Sequence, residues 1–211
     1  MNIIAPAIES YLESLLPERH PIFREMEAEA KRKGFPIVGP LVGSLLALLA
    51  RAIGARTVLE LGSGFGYSAL WFAQALPPDG HLLALEGNPD NARDARAYFA
   101  RAGLEDRATF KTGDALELIE AEPGPFDIIF NDIDKDAYPE VVPKALRRLR
   151  TGGLLIADNA LWSGRVTEPP GDTWTAGLQA YNRLVASEPT LMTTIVPIRD
   201  GVSVSLKVPD N

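Results

Sequence analysis

The stretch from Arg56 to Ser68, RTVLELGSGFGYS, constrains this chain more than any other. Thr57 to Leu61 is a short apolar run holding one acid, Glu60, and reads as a strand buried on both faces of a parallel sheet. Gly62, Gly64 and Gly66 follow at G-x-G-x-G spacing, and Tyr67 to Leu76 reads as a helix stopped by Pro77 and Pro78. Strand, glycine turn and helix in this order build the crevice in which open α/β sheets hold nucleotide-sized ligands. The glycines let backbone N–H groups come close to a ligand, and the helix start adds partial positive charge. A dinucleotide site carries G-x-G-x-x-G with a pyrophosphate on the helix. Here the third glycine comes one residue early and an acid precedes the first, which repels phosphate and attracts a cation such as an amino group. Taken alone, the turn also fits an αβ connection that binds nothing.

The rest of the chain repeats the pattern. Strands are expected at His81–Leu85, Arg107–Thr112, Phe126–Phe130 and Leu154–Ala157, separated by helices at Asp90–Ala102, Leu116–Ala121 and Pro139–Arg150. Arg147, Arg148 and Arg150 then form a solvated helix end. Trp162 to Trp174 is a proline-rich loop suited to a lid, followed by a helix over Thr175–Ser187. Thr190–Ile198 and Val202–Val208 form a hairpin about Arg199, Asp200 and Gly201, because a D-G turn between β-rich runs is a hairpin signal. Ahead of the first strand, Leu41–Ile53 is apolar nearly all round and should be a buried helix, with Pro36–Pro40 as a loop before it. Residues 1–35 form a helical appendage, Ile3–Leu16 and Pro21–Lys33, which either covers a site, forms a dimer surface or is simply solvated. The expected fold is therefore Rossmann-like: a seven-stranded, mostly parallel sheet with helices on both faces and a C-terminal antiparallel hairpin. A length of 211 residues suits one such domain.

Composition excludes several chemistries. Without cysteine there is no disulfide, Cys-ligated zinc or thiol nucleophile. A formal net charge of -7 argues against a broad nucleic-acid footprint. No signal peptide and no apolar run of membrane-spanning length is evident, so a cytoplasmic protein away from membranes is expected; a homodimer is the expected assembly.

Five strands end in polar or acidic residues: Glu60 with its glycines, Glu86, Gly113–Asp114, Asp132, and Asp158–Asn159. Ligands of open α/β sheets lie outside these carboxyl ends. Glu86 is placed to accept both hydroxyls of a ribose, or serves as a helix N-terminal acid. Asp114 meets an adenine amino group or caps the next helix. Asp132, Asp158 and Asn159 are hard oxygen donors on adjacent strand ends, a set that suits Mg²⁺, or Ca²⁺ or Mn²⁺, rather than zinc. The alternative has Asp158 capping a turn and Asp132 paired with a lysine. Lys135 is a candidate general base, or one half of a surface pair with Asp134 or Asp136.

With these residues in hand, the chain resembles the cation-dependent class I O-methyltransferases of the catechol and caffeoyl-CoA type. The resemblance runs through VLELGSGFGYSAL, LALEGNPDNA, GDALE, FDIIFNDIDKDAY, GGLLIADNALWSGRV and VPIRDGVSVS. It implies S-adenosylmethionine as methyl donor. Glu60, Gly62, Gly64 and Ser68 would line the donor's methionine side, with backbone help near Val38. Glu86 would hold the ribose, and Gly113, Asp114 and Ala115 would flank the adenine. Asp132, Asp158 and Asn159 would ligate the cation, with Asp132 also facing the donor and Lys135 acting as base. Two departures stand out: Val42, Gly43 and Ser44 replace an acid-Gly-Gln stretch, and Asn131 replaces an apolar residue. The implied acceptor is a vicinal dihydroxy aromatic small molecule. A tRNA hydroxyuridine, which some bacterial relatives suggest, and a non-catalytic donor-binding scaffold are the rivals; intact Asp132, Lys135, Asp158 and Asn159 argue against the scaffold.

Overall fold

The computed structural model describes residues 3–209. Among the described residues, seven strands form one sheet: β1 (Thr57–Leu61), β2 (His81–Glu86), β3 (Ala108–Thr112), β4 (Phe126–Asn131), β5 (Leu149–Ala157), β6 (Leu191–Val196) and β7 (Val202–Lys207). Their order is β3-β2-β1-β4-β5-β7-β6. The first five run parallel, and β7 inserts antiparallel between β5 and β6. The chain reverses direction across the sheet between β1 and β4, which is where open sheets place their ligands.

Of the eight α-helices among the described residues, seven cover the two faces. On one side α2 (Pro21–Lys33), α3 (Gly39–Ala52), α4 (Tyr67–Ala75) and α5 (Pro89–Arg101) bury side chains against the sheet. On the other lie α6 (Ala115–Ala121), α7 (Tyr138–Leu146) and α8 (Thr173–Ser187). Strand alternation feeds both layers: Phe130 meets Phe72 of α4 at 5.7 Å between ring centroids, while Ile129, its neighbour in β4, packs in the cluster with Tyr138 and Tyr181. Register then aligns the strand ends. Leu61 pairs with Leu85 and Asn131, and Asn131 with Ala157, so Gly62, Glu86, Asp132 and Asp158 emerge side by side.

The structure departs from the sequence reading in four places. The N-terminal appendage divides: α1 (Pro6–Ser14) buries no residue, whereas α2 buries Ile22, Phe23, Met26 and Ala30. Phe23 seats against Trp71 and Tyr67, at 4.5 and 5.6 Å between centroids. α3 starts at Gly39 rather than Leu41, because Pro40 suits a first helical turn where its missing N–H costs nothing. The helix expected to reach Arg150 stops at Leu146, and Leu149–Gly153 belongs to β5. Of its arginines, Arg147 is exposed as expected, but Arg148 is buried and donates to the carbonyls of Glu120, Glu122 and Lys144, and Arg150 pairs with Asp127. Within the expected lid loop, Trp162–Thr167 forms a 3₁₀ segment, and α8 begins at Thr173, capped by Asp172 through the Thr175 N–H at 2.6 Å.

Candidate active site

A cavity of about 520 Å³ opens at the carboxyl ends of β1, β2, β4 and β5, within the range of small-ligand sites. Its floor is the glycine turn. Gly62 takes φ +83°, and a Cβ there would stand 2.5 Å from the Asp132 carbonyl oxygen, so only glycine lets the two strand ends close up. Glu86 is locked in place: Oε2 accepts the Gly64 N–H at 2.7 Å, and Oε1 accepts the Asn88 N–H at 2.9 Å and Asn91 Nδ2 at 3.1 Å. Asp114 caps α6 through the N–H groups of Leu116 and Glu117 and lines the cavity as well, beside Gly113 and Ala115. Both roles read for it from sequence are thus compatible. Val38, at the entry to α3, also lines the cavity.

Glu60 is not part of the wall. It lies fully buried behind Ser68, whose hydroxyl donates to Oε1, while Oε2 has no partner. Burial pushes its carboxyl up to about 8; the Ser68 hydrogen bond opposes this, and the charges of Asp132 and Glu86 add to it. Ser68, rather than Glu60, lines the cavity.

Asp132, Asp158 and Asn159 converge on the same cavity. Asp132 Oδ1 accepts from Lys135 Nζ at 2.8 Å, and Lys135 also donates to the Ile133 carbonyl at 2.9 Å. Lys135 is buried, paired with Asp132 rather than with Asp134 or Asp136 on the surface. It is held there by close packing of α8: a Cβ on Gly177 would come within 2.3 Å of the Lys135 carbonyl oxygen. Asp158 Oδ2 accepts from Arg199 Nη1 at 2.9 Å, and Oδ1 is buried without a partner. Burial, then the Asp132 charge, raises the Asp158 carboxyl to about 7 against the pull of Arg199. Asn159 donates Nδ2 to Asp200 at 3.1 Å, so its side-chain oxygen is the atom available to a ligand. Tyr138 ties the two strand ends together, its hydroxyl lying 3.3 Å from the Asn131 carbonyl and 3.2 Å from that of Asp158. Asn131 itself is buried, with neither side-chain amide atom bonded.

Sequence reasoning missed Trp162, Trp174 and Arg199, all in the wall. The two indoles lie 5.7 Å apart, with the Arg165 guanidinium 4.3 Å from the Trp162 ring. The signal for the tryptophans was present, since they bound the loop read as a lid. Arg199 was visible only as part of a hairpin turn.

Comparison with known proteins agrees with this geometry. A family model described as O-methyltransferase matches residues 14–208. A catechol O-methyltransferase of Niastella koreensis is 35% identical over 206 residues, covering 92% of this chain and 91% of that protein. A caffeoyl-CoA O-methyltransferase of Eucalyptus globulus is 32% identical, covering 79% and 72%. Among solved structures, the Bacillus cereus O-methyltransferase in complex with SAH superposes with a TM-score of 0.87 at 32% identity, covering 95% of this chain and 97% of that one. TomG of Streptomyces achromogenes, in complex with SAM, gives 0.89 at 30% identity, with 96% of each chain covered. As its glycine turn and strand-end acids led one to expect, this chain belongs to the O-methyltransferase family.

Proposed function

We propose that the protein transfers a methyl group from S-adenosylmethionine to one hydroxyl of a vicinal dihydroxy aromatic small molecule, with a divalent cation held by Asp132, Asp158 and Asn159. The observation that carries this is the convergence of those three residues and Lys135 on the cavity floored by the glycine turn and Glu86. Relatives named for catechol and caffeoyl-CoA, and the neighbour structures holding SAM and SAH, support it.

The residues fit a hard cation. Among the described residues no trio of His, Cys, Asp or Glu is placed to hold a metal; the set here is two acids and an amide oxygen. Asp158 Oδ1 is a buried acceptor with nothing to accept from, and Asp132 and Asp158 repel each other across the strand ends. Both features are costly unless a cation answers them. When bound, such an ion lowers the pKa of a coordinated hydroxyl, which for a phenol near 10 matters: a drop of about three units is worth roughly 4 kcal/mol.

The chain's own residues supply the rest. Gly62, Gly64 and Ser68 present backbone and hydroxyl groups to the donor's methionine end, with Val38 also in the wall. Three contacts already occupy Glu86, out of about four carboxylate acceptor positions. Oε2 is therefore left for one ribose hydroxyl rather than two. Gly113, Asp114 and Ala115 border the adenine. Lys135 Nζ, positioned by Asp132 and the Ile133 carbonyl, would take the acceptor's proton in its neutral amine form, which a divalent cation held beside it favours. Holding oxygen, methyl carbon and sulfur in line lowers the barrier by proximity.

The test is methyl transfer to catechol and, separately, to unmodified cellular tRNA, with Mg²⁺ or with EDTA. Catechol methylation that EDTA stops is the expected result. Methylation of tRNA alone, or catechol turnover indifferent to EDTA, contradicts the proposal.

A further inference from the structure

The acceptor end of the cavity holds a guanidinium to which the reaction above gives no task. Arg199, in the turn between β6 and β7, lines the wall with Trp162 and Trp174. Its Nη1 is spent on Asp158, but Nε and Nη2 meet no protein partner among the described residues. Lys135 is the other cation in that wall, and it is already committed to Asp132 and the Ile133 carbonyl. With one of its five donors used against two of three on Lys135, Arg199 is the wall cation with most donors to spare.

The backbone points to the same place. Among the described residues, the non-glycine residues with left-handed φ are Asn159 (57°), Trp162 (46°), Ser163 (53°) and Arg199 (50°). All belong to one platform. Asp200 accepts from Asn159 Nδ2 and from the Ser163 N–H, and the N–H groups of Ala160 and Leu161 donate to the carbonyls of Gly201 and Asp200 at 2.8 and 2.9 Å. Such conformations persist only where the surroundings over-determine them, and they cluster at ligand clamps. Here they set a cation ligand, an indole and the guanidinium around one space. A neutral ring in that space would use the indoles and leave the planar N–H fork unmatched. A carboxylate matches a fork in both charge and shape.

We infer that Arg199 is a specificity-determining residue that selects aromatic acceptors bearing a carboxylate over neutral ones. The inference rests on the proposed methyl transfer to a dihydroxy aromatic ring and narrows its substrate class. The anion must be close to the ring, because Arg199 sits against Asp158, which is 2% exposed.

The probes are 3,4-dihydroxybenzoate, its methyl ester and its coenzyme A thioester, with Mg²⁺. kcat/KM is measured with S-adenosylmethionine, and Kd with S-adenosylhomocysteine from quenching of tryptophan fluorescence. The unaltered protein should favour the acid over the ester by about tenfold or more in both readouts. Arg199→Gln should bring the two close to parity, and Arg199→Lys, which keeps the charge without the fork, should retain part of the preference. Parity in the unaltered protein, or a preference that survives Arg199→Gln, overturns the inference. So does an Arg199-dependent preference for the thioester, which would assign the guanidinium to phosphate. If Arg199→Gln fails to fold by circular dichroism, the acid-to-ester ratios of the unaltered and Arg199→Lys proteins decide the matter. Methylation of both acid and ester at parity sinks this inference alone. Methylation of neither, with S-adenosylhomocysteine still bound, sinks the proposed function, and the Kd ratio still reads Arg199.

Discussion

At Asp158 the two carboxylate oxygens have different fates: one answers Arg199 and the other answers nothing. Removing the side chain takes away the buried oxygen donor without touching the glycine turn or Glu86. Asp158→Ala should therefore lower Mg²⁺-dependent methyl transfer by about a hundredfold or more. Calorimetry should show S-adenosylhomocysteine affinity within about threefold of the parent's. A large loss of that affinity would mean that the donor and cation subsites are not separable. Glu60 offers a pH signature. Its carboxyl sits at about 8 in the folded chain against a usual 4.5, chiefly through burial. It is therefore protonated when folded and ionised when unfolded across that window. The stability it contributes is full below about 4.5 and is lost as pH rises through about 8, on the order of 3–5 kcal/mol. Glu60→Gln keeps a neutral partner for Ser68 and abolishes the loss. Thermal melts from pH 4 to 9 should show the parent falling relative to the variant up to about pH 8 and then running parallel. A constant gap across the range would refute the shift.

Single elements show where pattern reading succeeds. β1 and α2 have the bounds read from sequence, because an apolar run between turn residues and a Pro-to-Gly helix leave little choice. The end of α7 does not. Arginines in a last turn ordinarily face water, yet Arg148 folds back under α6 and donates to the carbonyls of Glu120 and Glu122. Charge periodicity along α7 carries no information about a carbonyl on another element. Arg148→Ala leaves those groups without their donor and should destabilise the protein by about 2–4 kcal/mol, read as the midpoint of urea unfolding. A change below about 0.5 kcal/mol would return Arg148 to the solvated surface.

For the molecule as a whole, the site exists because register brings four strand ends level. Gly62, Glu86, Asp132 and Asp158 come from parts of the chain up to 96 residues apart in number and meet through the β1–β2, β1–β4 and β4–β5 pairings. Ligand binding across those ends should therefore stabilise the fold globally. S-adenosylhomocysteine at a hundred times its Kd should add about 2.7 kcal/mol, a rise in Tm of about 5–10 °C for a chain of this size. The rise should persist in EDTA, since the groups assigned to the donor are mostly backbone and Glu86. A rise that depends on Mg²⁺ would contradict separate sites.

The glycine turn, the polar strand ends and the order of strands and helices are local properties, written in hydrophobic periodicity and turn chemistry, and they sufficed to name Asp132, Asp158, Asn159, Lys135 and Glu86 as site candidates. Three things were decided only by the tertiary structure. Glu60 is withdrawn behind Ser68, β7 rather than β6 pairs with β5, and Arg199 is delivered into the cavity by a turn whose sequence says only that it is tight. Each depends on which surfaces meet, a matter of packing and register between segments far apart in the chain, and no local pattern encodes it.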